Sequence, residues 1–231
     1  MERGLRAAAP QRELARPGLP PLGGGRGGRR AFVASFAVAW NGIVETAMHQ
    51  RNMRVHLVAG LLVALFGSGL ALAVADQLAL LLCVFLVLSA EVANSALEAL
   101  VDLVTRERHD LARAAKDAGA GAVLVLAIGS VAVLAAVVVH AWPAVAASRQ
   151  AVLRQAGVGV PLALVMTVLL APGHRPRALD LGLTIVGIGL LATLASFTAS
   201  ALFTGVAALH FGVSAAVAHR RRAMARVSDR P

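Results

Sequence analysis

Residues 78–105 read LALLLCVFLVLSAEVANSALEALVDLVT. The first half is the apolar run of a helix that crosses a bilayer, whose core takes about 20 helical residues. The second half keeps the apolar background but adds Glu91, Asn94, Ser95, Glu98 and Asp102. Relative to Glu91 these lie at +3, +4, +7 and +11. A helix turns about 100° per residue, so all of them fall on one stripe about 16 Å long. Charged groups inside an apolar run are costly and mark a functional site by default. The plainer alternative is a polar stripe that joins helices in an oligomer.

The chemistry of the stripe is specific. Carboxylates beside an amide suit a hard cation such as Mg²⁺, which takes oxygen ligands and keeps several waters. Beyond a short polar loop stands Lys116, the only lysine among 22 lysines and arginines, followed by Asp117. In a chain that otherwise writes its cations as arginine, a compact, rotatable ammonium points to a phosphate. Carboxylates, a divalent cation and a lysine are the parts of a phosphoryl-transfer site. No glycine-rich phosphate loop accompanies them, so side chains and metal would hold the nucleotide.

The rest of the chain places this stripe in a membrane protein. Hydrophobic residues make up 58% and charged residues 15%, with a mean hydropathy of +0.74. That profile excludes an ordinary soluble domain. The formal net charge of +10 is concentrated outside the apolar runs. Residues 1–30 mix arginines with Pro and Gly and form a basic tail expected to be disordered. It suits anionic headgroups, and with no aromatic stacking or reading helix it does not suit nucleic acid. No typical secretory signal peptide is expected, because apolar sequence begins near Ala31. Cys83 is the only cysteine, which excludes an intramolecular disulfide.

Outward from the stripe, residues 31–50 read as an amphipathic interfacial helix with Phe32, Phe36, Trp40, Ile43 and Val44 on one face. Val55–Ala75 reads as a first span and 78–105 as the second. Thr105–Ala115 reads as a polar loop, and a third span runs from Lys116 to Trp142, ended by Pro143. A loop is expected over 143–155. Ala156–Ala171 is short and carries Pro161, and 181–218 reads as two close-packed spans. Asp180 is expected to be solvated at a span start. His174-Arg175-Pro176 reads as a cytoplasmic turn, because the other elements of a lipid phosphatase loop are missing. His210 is expected to hydrogen-bond to a neighbouring helix rather than relay protons.

The fold class is therefore all-α, a polytopic transmembrane bundle. It has a three-span core with an N-terminal interfacial helix and about three further C-terminal spans. The expected organisation is a tail over 1–30, a core domain over 31–145, an extension over 146–220 and a basic cytoplasmic tail over 221–231. An N-in, multi-pass arrangement leaves only Arg149 and Arg154 on the outer face among the main basic clusters.

Ala90-Glu91-Val92-Ala93-Asn94-Ser95-Ala96-Leu97-Glu98, then Asp102, then Ala115-Lys116-Asp117-Ala118-Gly119, resembles the signature of prokaryotic diacylglycerol kinases. This family of small membrane lipid kinases includes undecaprenol kinases. Gly42-Ile43-Val44-Glu45-Thr46, with Arg51-Asn52 and His56, is closer to the undecaprenol branch. The resemblance covers residues 30–142 and stops before the last 85 or so.

The resemblance implies an ATP- and Mg²⁺-dependent kinase of diacylglycerol or undecaprenol in the bacterial inner membrane. It implies a homotrimer with its site between subunits at the cytoplasmic surface. Glu91 would be the general base, with Asn94 and Asp102 in the catalytic set. Glu98 would hold the metal. Lys116 and Asp117 would contact the nucleotide, with Glu107, Arg108 and His109 in a loop beside it. Trp40, Glu45 and Asn52 would lie toward the lipid substrate. One position departs from the pattern. The family places a second metal-binding Glu where this chain has Gln50, whose carbonyl can ligate Mg²⁺ but brings no charge. Glu45 lies about 140° round the helix from it and is a poor substitute. That departure favours an alternative, a catalytically impaired scaffold or transporter-like protein whose C-terminal spans carry the function.

Overall fold

A computed structural model describes residues 27–228 apart from 106, 148 and 174, with side chains between 32 and 221. The basic tail expected over 1–30 lies outside the described residues up to Arg26. So do Arg106, His174 and the side chains of 222–231.

Among the described residues the chain forms seven helices: α1 Gly27–His49, α2 Arg51–Ser68, α3 Val74–Val104, α4 Asp110–Ala147, α5 Arg149–Leu170, α6 Arg177–Ser196 and α7 Ala201–Ser228. Five of these, α3 to α7, are long and apolar enough to cross a membrane. The fold is thus an all-helical, polytopic bundle. The shortest of the seven, α2, carries Arg51, Arg54 and His56 near its start and ends at Ser68. It is shorter than the span expected over 55–75, because Gly69–Ala73 form a turn instead of continuing the helix.

The chain divides into two units, residues 1–40 and residues 41–231. The first contributes the start of α1, whose Phe32 and Phe36 are exposed. In the second unit α2 to α7 run alternately up and down. One end collects Gln50 with Glu98 and Lys116 with Asp102. The Arg221 guanidinium, also at that end, donates to the carbonyls of Leu170 and Ala171. The opposite end collects His140 with Asp76 and Ser200 with Gln77.

Helix α2 packs against α3, α5 and α7. Its glycines make this close approach feasible. A methyl group at Gly67 would overlap the Phe203 ring, and one at Gly60 would overlap the His210 imidazole. Gly60 and Gly67 are two turns apart on α2, and Phe203 and His210 are two turns apart on antiparallel α7. Each large side chain of α7 therefore enters a notch of α2, as small residues permit where helices pack in lipid.

The carbonyls at the end of α2 have no backbone N–H partners within the helix, though Ser68 Oγ donates to that of Leu65 at 3.0 Å. Gln155 of α5 donates to the Leu65 carbonyl at 2.8 Å and to Ser68 Oγ at 2.5 Å. The Ala199 N–H donates to the Ser68 carbonyl at 2.7 Å. Residues 149–200 thus complete a helix that belongs to the first half of the chain.

Four expectations are corrected. His210 does not bond to a neighbouring helix: its Nδ1 meets the Val206 carbonyl of its own helix at 2.8 Å. Pro143 does not end its span, since α4 continues to Ala147 with the proline inside it. The loop expected over 143–155 is almost entirely helical, because α5 begins at Arg149 and runs through Pro161. A proline costs a helix one N–H and a clash with the carbonyl four residues back, and membrane helices tolerate this where neighbours compensate. Asp180 is not solvated. It is buried, and its carboxylate accepts from Arg175 Nε at 3.0 Å.

The glycine notch gives a direct test. Gly67→Ala should lower the stability of the folded protein by about 1–3 kcal/mol through overpacking against Phe203. Gly129→Ala, whose methyl meets nothing within 4 Å, should be neutral. Thermal unfolding of both variants in detergent checks the difference.

Candidate active site

The site begins where the helix of the N-terminal segment breaks. Gln50 has extended backbone, φ −92° and ψ 123°, between α1 and α2. A break leaves carbonyls unpaired on one side and N–H groups on the other. Arg54 Nη1 turns back to the carbonyls of Met48, at 3.0 Å, and Ala47, at 3.4 Å. In the first turn of α2 the Met53 N–H faces the Glu91 carboxylate. A helix N-terminus favours an anion both by free donors and by its dipole.

Glu91 is 1% exposed, and its Oε2 has no hydrogen-bond partner. One turn on, Asn94 Nδ2 donates to Glu98 Oε1 at 3.0 Å. Gln50 Nε2 donates to Glu98 Oε2, also at 3.0 Å. Two amides therefore clasp one carboxylate, one from its own helix and one from the α1–α2 break. An ionised carboxylate only accepts, so both amides turn their NH₂ groups toward it. Asn94 Oδ1 is then left buried without a partner. It rests against Gly119 of α4, where a methyl group would overlap it. Glycine at 119 is thus needed for the close approach of α4 to the stripe.

Lys116 of α4 reaches Asp102, with Nζ 2.6 Å from Oδ1. Asp102 is one turn beyond Glu98, so the ammonium is held a turn further toward the end of α3. The pair is partly exposed, 36% for the lysine and 64% for the aspartate side chain. Such a pair adds little stability, on the order of 0–1 kcal/mol. Its value is positional, and the ammonium remains open to a further anion.

The structure brings Glu91, Asn94, Glu98 and Gln50 together, and Lys116 with Asp102. It does not join the remaining expected residues to them. Asp117 pairs with Arg113 one turn away at 3.8 Å. His109 Nδ1 accepts from the Leu111 N–H at the start of α4, and Glu107, Arg108 and His109 are all exposed in the loop. Glu45 pairs with His49 and with Arg220 of α7 instead of facing the stripe. Asn52 is exposed, and Trp40 is half-buried at the end of the first unit.

Among the described residues no three His, Cys, Asp or Glu side chains converge as a metal-binding group. The oxygen donors available to a hard cation are instead mixed: the carboxylates of Glu91 and Glu98 with the amide oxygens of Asn94 and Gln50. The two orphaned oxygens, Glu91 Oε2 and Asn94 Oδ1, fit such a ligand set. Sequence reading missed the Met53 N–H and the Lys116–Asp102 pair. Backbone donors carry no side-chain signal, and the pair depends on how the α3–α4 turn sets the register.

The family profile of prokaryotic diacylglycerol kinases matches residues 37–138, the stretch that holds every one of these groups. The undecaprenol kinase of Bacillus subtilis (strain 168) is 41% identical over 97 residues, covering 42% of this chain and 79% of that protein. The chain belongs to the prokaryotic diacylglycerol kinase family. The diacylglycerol kinase of Synechocystis is 45% identical over 104 residues, 43% of this chain and 58% of the relative. The diacylglycerol kinase of Escherichia coli (strain K12) is 32% identical over 100 residues, 43% of this chain and 82% of the relative. No solved structure matches. As a member of this lipid kinase family the chain is a phosphotransferase with an alcohol group as acceptor, and α5 to α7 lie beyond the matched residues.

The Gln50–Glu98 contact can be tested without turnover. Gln50→Glu replaces a hydrogen bond by two facing carboxylates, and should destabilise the metal-free protein by about 1–3 kcal/mol. Added Mg²⁺ should reverse the loss and stabilise the variant beyond the parent. Melting curves with and without Mg²⁺ read this, and an Mg²⁺-independent melt would remove position 50 from the metal site.

Proposed function

We propose that the chain moves the γ-phosphoryl group of ATP onto the hydroxyl of undecaprenol or diacylglycerol at the cytoplasmic face of the bacterial inner membrane. The observation that carries this reading is the alignment along α3 of an orphaned carboxylate oxygen on Glu91, a clasped carboxylate at Glu98 and the ammonium of Lys116. Base, metal ligand and phosphate contact follow one another along the helix, as phosphoryl transfer requires.

In this reading Glu91 takes the proton from the lipid hydroxyl. The hydroxyl oxygen bonds to the γ-phosphorus, and the bond to the bridging oxygen breaks, leaving ADP. Asn94 holds Glu98 in place, and Glu98 with Gln50 would hold Mg²⁺. The metal supplies neutralisation of the phosphate charge. Lys116, presented by Asp102, contacts the phosphates, and Asp117 with the 107–109 loop lies on the nucleotide side. The work is positioning and electrostatics rather than covalent chemistry.

Placement of the cytoplasmic face follows from charge. Arg51, Arg54, Lys116, Arg175, Arg177, Arg220 and Arg221 all belong to one end of the bundle, and Arg149 and Arg154 to the other. An N-in orientation puts the Glu91–Lys116 series on the nucleotide side. A homotrimer is consistent with α4, which buries only Val123 and Val137 and leaves Leu124, Ile128 and Val131 exposed for lipid or a second copy. The Gly42-Ile43-Val44-Glu45-Thr46 segment favours a polyprenol over a diacylglycerol as acceptor.

A second reading, an impaired scaffold whose C-terminal spans carry the function, is favoured by Gln50, which donates to Glu98 where the family has a carboxylate. Transfer from labelled ATP to the two lipids, offered side by side in micelles, separates the readings and identifies the acceptor. Glu91→Gln and Lys116→Ala should each reduce transfer by at least about 100-fold, the scale of a lost general base or phosphate clamp. Both should still fold. Unchanged rates in either variant would remove that residue from the mechanism, and no transfer by the folded parent at high Mg²⁺ would favour the scaffold.

A further inference from the structure

Away from the α3 stripe, α2 and α5 enclose a trough along their seam. A cavity of about 620 Å³ lies at the end of the bundle that holds Gln50 and Lys116, with Arg51 and Arg54 at its mouth and Val55, Val58, Leu62 and Leu170 among its walls. A second cavity, of about 230 Å³, shares Leu62 and continues to Gly69 and Gln155 at the far end of α2. The two lie end to end along most of α2, whose 18 residues rise about 27 Å. That is close to the thickness of a bilayer core.

The trough is basic at one end and apolar below. Arg51, Val55, Val58 and Leu62 follow one face of α2 at helical spacing, and no Asp or Glu lines either cavity. Behind the mouth, Arg221 donates by Nη1 to the carbonyls of Leu170 and Ala171, both of which line the cavity. Its Nη2 is buried without a hydrogen-bond partner among the described residues. Arg175 is the nearby cation already matched to a carboxylate, that of Asp180. The end of the trough therefore holds more guanidinium donors than the protein satisfies.

We propose that this trough binds an anionic phospholipid, with its phosphate at Arg51 and Arg54 and a hydrocarbon chain along the α2–α5 seam. The α2 wall, with both arginines, lies within the residues shared with the kinase relatives and the α5 wall lies outside them, so the trough exists only where the C-terminal extension packs on α2. It does not depend on phosphoryl transfer. A phosphate head matches paired guanidinium groups. The chain replaces solvent or loose lipid against exposed Val55 and Leu62.

The test is lipid retention by the full chain, read by native mass spectrometry after titration with phosphatidate, phosphatidylglycerol or phosphatidylcholine. A basic residue at the membrane surface contributes about 1 kcal/mol toward an anionic lipid, so two arginines should favour both anionic lipids over phosphatidylcholine on the order of tenfold. Arg51→Ala, at an exposed position, should reduce that preference about fivefold. Ala59→Phe, which fills the trough, should reduce retention of all three, while Gly129→Ala, outside both the trough and the α3 stripe, should leave it unchanged. Equal retention of phosphatidylcholine, or undiminished retention in folded Ala59→Phe, would overturn the proposal. So would inorganic phosphate binding as well as phosphatidate, since the chain would then contribute nothing.

Discussion

Two carboxylates on the second half of a membrane-length helix set the terms for this structure. Glu91 and Glu98 cannot face hydrocarbon, because an unpaired charge there is costly. They must be met by donors, and α3 itself supplies only Asn94. The remaining donors come from the break at Gln50. Had α1 and α2 formed one continuous helix, the Met53 N–H would be spent inside that helix and Gln50 would not be released toward Glu98. The break carries its own cost in unpaired carbonyls, which Arg54 offsets by turning back on Ala47 and Met48. Kink, clasp and acidic stripe are therefore one arrangement.

Helix α2 consequently serves two sides. Its start faces the acidic stripe through Met53. Its remaining length is notched by Gly60 and Gly67 for α7, and its end is capped by Gln155 and by residues 198–199. The C-terminal helices are packed against the same element that organises the site. A disturbance of α7, such as loss of His210 from its notch, has a structural route to Gln50 through one short helix. Arg220 adds a second route, since it pairs with Glu45 one turn before the break. These routes make the extension a structural partner of the kinase core.

Much of this was legible in the sequence because periodicity and composition are local. The stripe on α3 follows from spacing, and the division of 181–218 into two helices from length. The failures involved contacts that periodicity does not encode, some of them close in sequence and some distant. Pro143 and Pro161 carry a strong local signal for a helix end, yet both helices continue through them. Asp180 looks solvated until Arg175 folds over it. Gln50 looks like a lost ligand, and only the structure places its amide on Glu98, 48 residues away. The lysine was legible as an exception, yet its partner was not. Asp102 and Lys116 meet because the turn between α3 and α4 is only residues 105–109, a boundary that sequence reading put six residues too late.

The substitution at position 50 also bears on why the site is stable as it stands. A glutamate there would bring a third carboxylate against Glu98 and Glu91, held together only when a cation is bound. With glutamine, the amide itself neutralises part of the Glu98 field by donating to it, so the clasp is satisfied without metal. The same contact sets the cost of loading the site: for Gln50 to ligate a cation, its amide must rotate and give up the hydrogen bond to Glu98. The net cost of losing such a charge-assisted bond is about 1.5–3 kcal/mol, which corresponds to roughly a ten- to hundredfold weaker hold on the cation. Satisfying the acidic stripe with amides stabilises the fold without metal, and for the Mg²⁺ proposed here it would weaken the hold on the cation; both follow from the one side chain at the break.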